Sequence, residues 1–279
     1  MKKLIAIAAV AVAMIGGPAV AKDYKSIKVA TEGAYAPWSF KDSAGNLVGF
    51  EPDLVVDLCK RMGVQCTVVE QAWDGIIPSL QAGKYDAIMA GMSITDKRKK
   101  VITFSRAYAA TPASFVVTKS SPSAKFSTSM DAINLQEVSA EGKAVIAAIV
   151  KEFKGKTVGV QTATTHENFL RAHLGKDVTI RTYDTQENLD LDLQAGRVDA
   201  ALASMSYWKP LLESDKGKDM KAVGPGMTGG PFGAGVGVGI RKGDQALADM
   251  SSKAINGAIA DGTVKKMAVQ WFGFDASVK

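Results

Sequence analysis

The chain has few of the residues that nucleophilic enzymes and metalloproteins depend on. Two cysteines and two histidines occur in 279 residues. The histidines, His166 and His173, stand one helical heptad apart, a spacing that does not by itself make a pair of metal ligands, and neither is close to a cysteine in sequence. No metal centre and no cofactor are expected. G-x-S-x-G, H-E-x-x-H and C-x-x-C are absent, so a serine-hydrolase elbow, a zincin helix and a dithiol redox site are excluded as motifs. Neither a Walker loop nor a G-x-G-x-x-G turn leading into a helix is present, so the glycines are not a phosphate cradle. No basic stripe with interleaved aromatics occurs, which argues against nucleic acid. After the first two dozen residues no apolar run approaches the ~20 residues of a spanning helix. Carboxylates are plentiful, but no pair is marked out.

The first residues carry a different message. Met1-Lys2-Lys3 is a basic start, Leu4 to Gly17 is apolar but short, and Ala19-Val20-Ala21 is an A-x-A cleavage site. Residues 1–21 are expected to be a secretory signal peptide, leaving a mature chain from Lys22 to Lys279. The formal charge of +6 falls to +4 without Lys2 and Lys3, a mild field that favours approach of an anionic solute or partner. In an oxidising compartment Cys59 and Cys66 are placed to form a local disulfide across a helix–strand turn; two buried thiols are the alternative.

Strands and helices alternate along most of the chain. Ile27 to Thr31 and Thr67 to Val69 read as strands, Asp53 to Met62 and Ile76 to Ala82 as helices, and Tyr85 to Ala90 as a buried strand. Lys119 to Ala140 reads as a polar surface loop leading into a helix to Phe153. Thr157 to Gln161, Val178 to Tyr183 and Val198 to Ala203 are further strands, separated by helices at His166 to Leu174 and Gln186 to Ala195. The segment from Gly224 to Gly239 holds eight glycines and reads as a connector that brings the chain back to the first half, with a strand at Val236 to Ile240. Helices near Gln245 to Ile259 and Val264 to Gln270 close the chain. The octet Leu80-Gln81-Ala82-Gly83-Lys84-Tyr85-Asp86-Ala87 recurs 113 residues later as Leu193-Gln194-Ala195-Gly196-Arg197-Val198-Asp199-Ala200. Each copy reads helix, glycine stop, basic residue, Asp, buried strand. We read this as two lobes of one α/β architecture, with ligands expected at the carboxyl ends of parallel strands.

Strand ends then supply the candidate site. After Tyr85 to Met89 come Ala90-Gly91-Met92-Ser93, a polar cap at Thr95 or Asp96, and a short helix carrying Arg98. A guanidinium beside hydroxyls and free N–H groups suits a carboxylate. Pattern alone fits a solvated Lys97-Arg98-Lys99-Lys100 run equally well. Glu32 follows the first strand and suits a cation. Tyr35 and Trp73 are either core residues or aromatic walls for a flat cation. Thr164-Thr165-His166-Glu167 matches a capping box, which aims free N–H groups outward; simple capping, with a solvated His166, fits as well.

Taken as a set, Glu32-Gly33-Ala34-Tyr35-Ala36-Pro37-Trp38, Gly49-Phe50-Glu51-Pro52-Asp53-Leu54, Cys59 to Cys66, Trp73-Asp74-Gly75-Ile76-Ile77-Pro78-Ser79-Leu80 and Ser93 to Arg98 resemble the periplasmic solute-binding proteins of polar amino-acid ABC transporters, over nearly the whole mature chain. The resemblance implies a type II two-lobed binding protein, with two Rossmann-like lobes joined by two crossover strands. Lobe 1 would span 22–110 and 236–279 and lobe 2 would span 111–235, with hinge strands near 109–114 and 227–236. It also implies roles. Arg98 would take the ligand α-carboxylate, helped by Ser93 and by backbone near Gly91 and Thr165. Tyr35 and Trp73 would stack on the side chain, Glu32 would meet its distal cation, and Cys59 and Cys66 would form the family's local disulfide.

Three departures matter. An Asp that often receives the primary ammonium in this family is here Ser204, and two family serines are Ala90 and Gly91. The chain is more similar to the branch that binds opines, amino-acid conjugates such as octopine and nopaline. The similarity rests on Glu70 to Ile76, Gly159-Val160-Gln161 with Thr164-Thr165-His166, Ala203-Ser204-Met205-Ser206, the long polar segment before Thr157 and Gly224 to Gly230. In such a ligand the α-nitrogen is a secondary amine bearing a second carboxylate. Small Ala90 and Gly91 would leave room for that arm, and Thr164, His166, Ser204 and Ser206 would meet its acid; Met92 and Gln161 complete the expected ligand-binding set. The expectation is a monomeric periplasmic protein delivering an arginine-type opine, or a basic amino acid such as arginine, to a membrane ABC permease. The alternative on the same fold is a periplasmic dehydratase-like enzyme, with Glu32 or His166 as its acid.

Overall fold

The computed structural model describes residues 24–279. The expected leader at residues 1–21 lies outside the described residues. Two sheets organise the chain. The first has the order Gln65–Glu70, Ser26–Thr31, Ala87–Ile88, Val236–Arg241, Ile102–Ala109. The second has the order Thr179–Tyr183, Thr157–Gln161, Ala200–Ser204, Ala113–Thr118, Met220–Thr228, Ala132–Asn134. The leading strands of each are parallel, and the fourth position in each is an antiparallel strand delivered from the other half of the chain. The chain leaves the first sheet after Ala109 and enters the second at Ala113. It leaves the second after Thr228 and returns at Val236.

The repeated octet explains itself in this frame. Gly83 and Gly196 both adopt a left-handed turn, with φ of 77° and 67°, that ends a helix. The following Asp then ties the next strand to its parallel neighbour. Asp86 Oδ2 accepts from the Lys28 N–H at 2.9 Å, and Asp199 Oδ2 accepts from the Thr157 N–H at 2.7 Å. The echo is a strand-pairing device used once in each lobe.

Each lobe has its own core. In the first, Trp38, Phe50 and Phe272 meet ring to ring between helix Phe50–Met62 and the C-terminal helices. In the second, Phe115, Phe153 and Phe169 fill the space under helices Ala140–Phe153 and Thr165–His173. Helix Phe50–Met62 buries Leu54, Val55 and Leu58 on one face and stops at Gly63. Cys59 near its end is joined by a disulfide to Cys66 on the adjoining strand Gln65–Glu70. Closing so short a loop stabilises by about 2 kcal/mol through the unfolded chain. Replacing both cysteines by alanine should lower unfolding stability by that amount in urea titrations while leaving ligand affinity unchanged, because neither residue borders the cavity described below.

Several elements differ from the sequence expectation. The strand expected over Tyr85 to Ala90 pairs only at Ala87–Ile88, because the chain swings out of the ladder toward Gly91, whose φ is 59°. The polar segment 119–140 is not only a loop: Ala132–Asn134 adds an edge strand beside Met220–Thr228. That second strand runs through Gly224, Pro225 and Gly226, which argue against a strand in sequence. The ladder accommodates Pro225 at a register shift between Val223 and Met227. Helix Met205–Leu212, with Pro210 inside it, also had no sequence signal.

Candidate functional site

The carboxyl ends of the parallel strands of both sheets face one cavity, partly open to solvent, with about 830 Å³ of atom-free space that includes the solvent at its mouth. It brings together Glu32, Tyr35, Trp73, Ala90, Gly91, Ser93, Arg98, Gln161, Thr164, Thr165, His166 and Ser204 from the sequence-expected set. Two members of that set do not line it. Met92 is fully buried among Ile88, Ile102 and Trp73 in the first-lobe core. Ser206 is also fully buried: its Oγ accepts from Trp38 Nε1 at 2.9 Å and lies 3.1 Å from the Thr111 hydroxyl, so its capacity is used inside the protein.

Arg98 is not part of a solvated run. Thr95 caps the four-residue helix Asp96–Lys99 by accepting from the Arg98 N–H. This places the guanidinium inward, 9% exposed, while Lys97, Lys99 and Lys100 stay outside. Nη1 donates to the Ser93 carbonyl at 3.0 Å and Nη2 to the Ala163 carbonyl at 3.4 Å. The plane lies against Trp73, 5.1 Å from the ring centroid. Among the described residues no carboxylate pairs with it. Burial alone pulls its pKa down to about 10, and it remains a cation at neutral pH.

Glu32 is the mirror case. It is buried at the end of strand Ser26–Thr31, and its described hydrogen bond comes from Gln161 Nε2 at 2.6 Å. Burial pushes its pKa up to about 7 and the nearby Glu187 and Asp184 add to the rise, while the Gln161 amide opposes it. Among the described residues no cation pairs with it. The cavity therefore holds a buried cation and a buried acid, neither with a partner of opposite charge.

The aromatic walls are held from behind. Tyr35 stacks on Tyr207 with centroids 4.8 Å apart and planes 15° from parallel. The Tyr207 hydroxyl donates to Asp190, which also accepts from Gln186 at 3.0 Å. Trp73 Nε1 donates to the Thr162 carbonyl of the other lobe at 3.0 Å. On the second lobe Thr164 caps helix Thr165–His173, accepting from the Glu167 N–H at 3.1 Å. That leaves the N–H groups of the first turn at the cavity wall. His166 Nε2 lies 3.4 Å from the Ser204 hydroxyl. Burial, with Arg98 nearby, pulls the His166 pKa down to about 3, so the ring stays neutral.

One expected contact is already taken. The Gly91 N–H donates to the buried Glu51 carboxylate, at 2.8 and 3.0 Å from its two oxygens, and the Tyr108 hydroxyl donates to the same group. Gly91 therefore offers the cavity space rather than a donor. Sequence reasoning also missed part of the wall. Trp38, Thr111 and Gln186 border the cavity, as do Phe232, Gly233 and Val236 from the glycine-rich return segment. The packing of that segment shows why it needs glycine. A Cβ on Gly233 would sit 2.3 Å from the Ile94 carbonyl oxygen, and φ there is 81°. Glycine density next to a strand is a sign of close backbone approach as well as of a loop, and it was the available signal.

Residues 27–274 match the family described as bacterial extracellular solute-binding proteins, family 3. The octopine-binding periplasmic protein of Rhizobium meliloti is 41% identical, over 99% of this chain and 99% of its own. The L-arginine-binding protein of Pseudomonas aeruginosa is 36% identical, over 99% of this chain and 98% of its own. A solved periplasmic His/Glu/Gln/Arg/opine family-binding protein from Silicibacter pomeroyi, in complex with lysine, superposes with a TM-score of 0.73 at 33% identity, covering 91% of this chain and all of that one. The chain belongs to family 3 of the bacterial extracellular solute-binding proteins. These relatives are binding proteins for octopine, L-arginine and His/Glu/Gln/Arg/opine-type ligands, and the dehydratase alternative is not favoured.

Proposed function

We propose that the protein is the periplasmic solute-binding component of an ABC importer, taking a ligand with a carboxylate at one end and a guanidinium at the other, of the octopine type or arginine itself. The observation that carries this reading is the buried Arg98 cation and the buried Glu32 acid, neither with an oppositely charged partner among the described residues, in one cavity between two lobes. A buried charge without a partner is costly, and a ligand that supplies both partners recovers that cost. Lobe closure over the ligand would then present the surface the permease reads. The protein acts as a monomer in this scheme, exported by the leader at residues 1–21.

The octopine type is favoured over free arginine by the second-lobe wall. A primary ammonium needs an acid, and Ser204 provides a hydroxyl instead. Neutral His166, Ser204 and the free N–H groups of helix Thr165–His173 are a set of donors suited to a second carboxylate, while the Thr164 hydroxyl is used on the Gln161 carbonyl. Calorimetric titration with octopine, nopaline, arginine, ornithine and histidine tests this. Octopine is expected to bind at least as tightly as arginine; no heat from any of them would end the reading. Ser204→Asp should tighten arginine and weaken octopine, each by about tenfold, since ~1.4 kcal/mol is a modest value for a charge gained or opposed at a buried site.

Glu32 also sets a pH limit. A guanidinium ligand needs Glu32 ionised, and it lowers the Glu32 pKa on binding. Affinity is therefore fully present above the free-protein value of about 7 and is lost as pH falls through it, by about tenfold per unit until the lower pKa of the complex is reached. Arg98 keeps its charge throughout, so it sets no limit in this range. A plateau above that limb, with proton release on binding just below neutrality, is the expected calorimetric result.

A further inference from the structure

Three first-lobe side chains at the cavity grip three consecutive residues of the second lobe. Glu32 accepts from Gln161, Trp73 donates to the Thr162 carbonyl, and Arg98 donates to the Ala163 carbonyl. The turn they hold is unusual in itself: Ala163, with φ of 56°, is the non-glycine residue with positive φ among those described. Gln161 differs from the other two because its contact is through the side chain. The amide sits at the end of strand Thr157–Gln161 with both N–H groups used, one on Glu32 and one on the Asp184 carbonyl at 3.0 Å. Its own carbonyl accepts from the Thr164 hydroxyl at 2.7 Å, so the backbone at this point is fixed as well.

We infer that Gln161 is a positioning residue for cation recognition: it immobilises one Glu32 oxygen from the opposite lobe and aims the other at the ligand's cationic end. This deepens the reading of Glu32 given above and rests on it. The surroundings leave Gln161 without a substitute. The other charged or titratable groups acting on Glu32 are Glu187 and Asp184 from the second lobe, Glu51 from helix Phe50–Met62, and Tyr35, none of which is a cation. The amide is the group that favours the ionised acid. Without it Glu32 keeps a proton to higher pH and its carboxyl is free to turn. The bond also ties cation recognition to closure, because it forms only when the two lobes meet.

The test compares arginine with citrulline, which has the same shape and a neutral end, on the full protein and on Gln161→Leu, which keeps bulk without a donor. Titrations are run from pH 5.5 to 9. The wild type should prefer arginine. Gln161→Leu should lose at least tenfold of that preference, with arginine affinity falling more than citrulline affinity, and move the acid limb of the arginine pH profile upward by about half a unit or more. Gln161→His, which restores a ring N–H donor, should recover part of the preference. If the wild type does not distinguish arginine from citrulline, the reading of Glu32 itself fails. If the wild type does distinguish them and Gln161→Leu keeps both the same ratio and the same pH midpoint, Gln161 is only wall and the inference is overturned. An equal loss for both ligands with an unmoved midpoint would also overturn it, since that is the signature of a purely structural role.

Discussion

Arg98→Ala should weaken binding of any carboxylate ligand by about 3 kcal/mol, or more than a hundredfold in Kd, with little change in unfolding stability. The size follows from where the guanidinium sits. It is buried, stacked against Trp73, and among the described residues donates to two backbone carbonyls and no carboxylate, so it has charge left over for a ligand carboxylate. Removing it leaves that carboxylate desolvated and unpaired, which costs more than losing the bond. Stability should hold because Arg98 has no ion-pair partner to strand among the described residues, and because the Thr95 cap uses the backbone N–H, which alanine keeps. Arg98→Lys should recover only part of the affinity, since an ammonium cannot make the fork. Calorimetry on the two variants, beside urea unfolding, checks each part. Wild-type affinity in Arg98→Ala would show that the guanidinium does not face the ligand.

Trp38→Ala should lower unfolding stability by about 3–5 kcal/mol, as large aromatic truncations in cores do. Trp38 is 2% exposed and packs edge-on to Phe50 and against Phe272. Its Nε1 reaches across to Ser206 beside the Thr111 hydroxyl, where the chain passes between the lobes. The truncation therefore opens a core cavity and also strands a buried serine. Trp38→Phe separates the two effects. It keeps most of the packing, loses only the bond, and should cost about 1–2 kcal/mol, with a measurable loss of affinity because the lobes meet less firmly. Urea midpoints for both variants decide this, and a cost below 1 kcal/mol for Trp38→Ala would mean the core collapses around the gap.

How much of this was legible in the sequence depended on whether the signal was local. The parallel strand ends, the Gly83 and Gly196 helix stops, the Thr95 and Thr164 caps and the cysteine pair are all set by neighbours within a few positions, and the chain reads them out. The repeated octet needed the fold before its Asp made sense, because the partner N–H groups of Lys28 and Thr157 are far away in sequence. Residues fixed by distant partners were not legible. Ser206 looks like a cavity hydroxyl until Trp38, far away in the chain, takes its oxygen. Gly91 looks like a free donor until Glu51 takes its N–H. Met92 sits between cavity residues, but its side chain packs into the first-lobe core with Ile88 and Ile102. The glycines after Gly224 read as a connector between the lobes, and the structure also uses them where backbone meets backbone at the cavity wall.

The measurement that bears most directly on the whole account is a crystal structure of the protein grown with octopine. The account places one ligand carboxylate against Arg98 and Ser93, the guanidinium on the Glu32 oxygen that Gln161 leaves free, and the second carboxylate beside Ser204 and His166. A ligand bound with its guanidinium away from Glu32, or outside the space between the lobes, would contradict it.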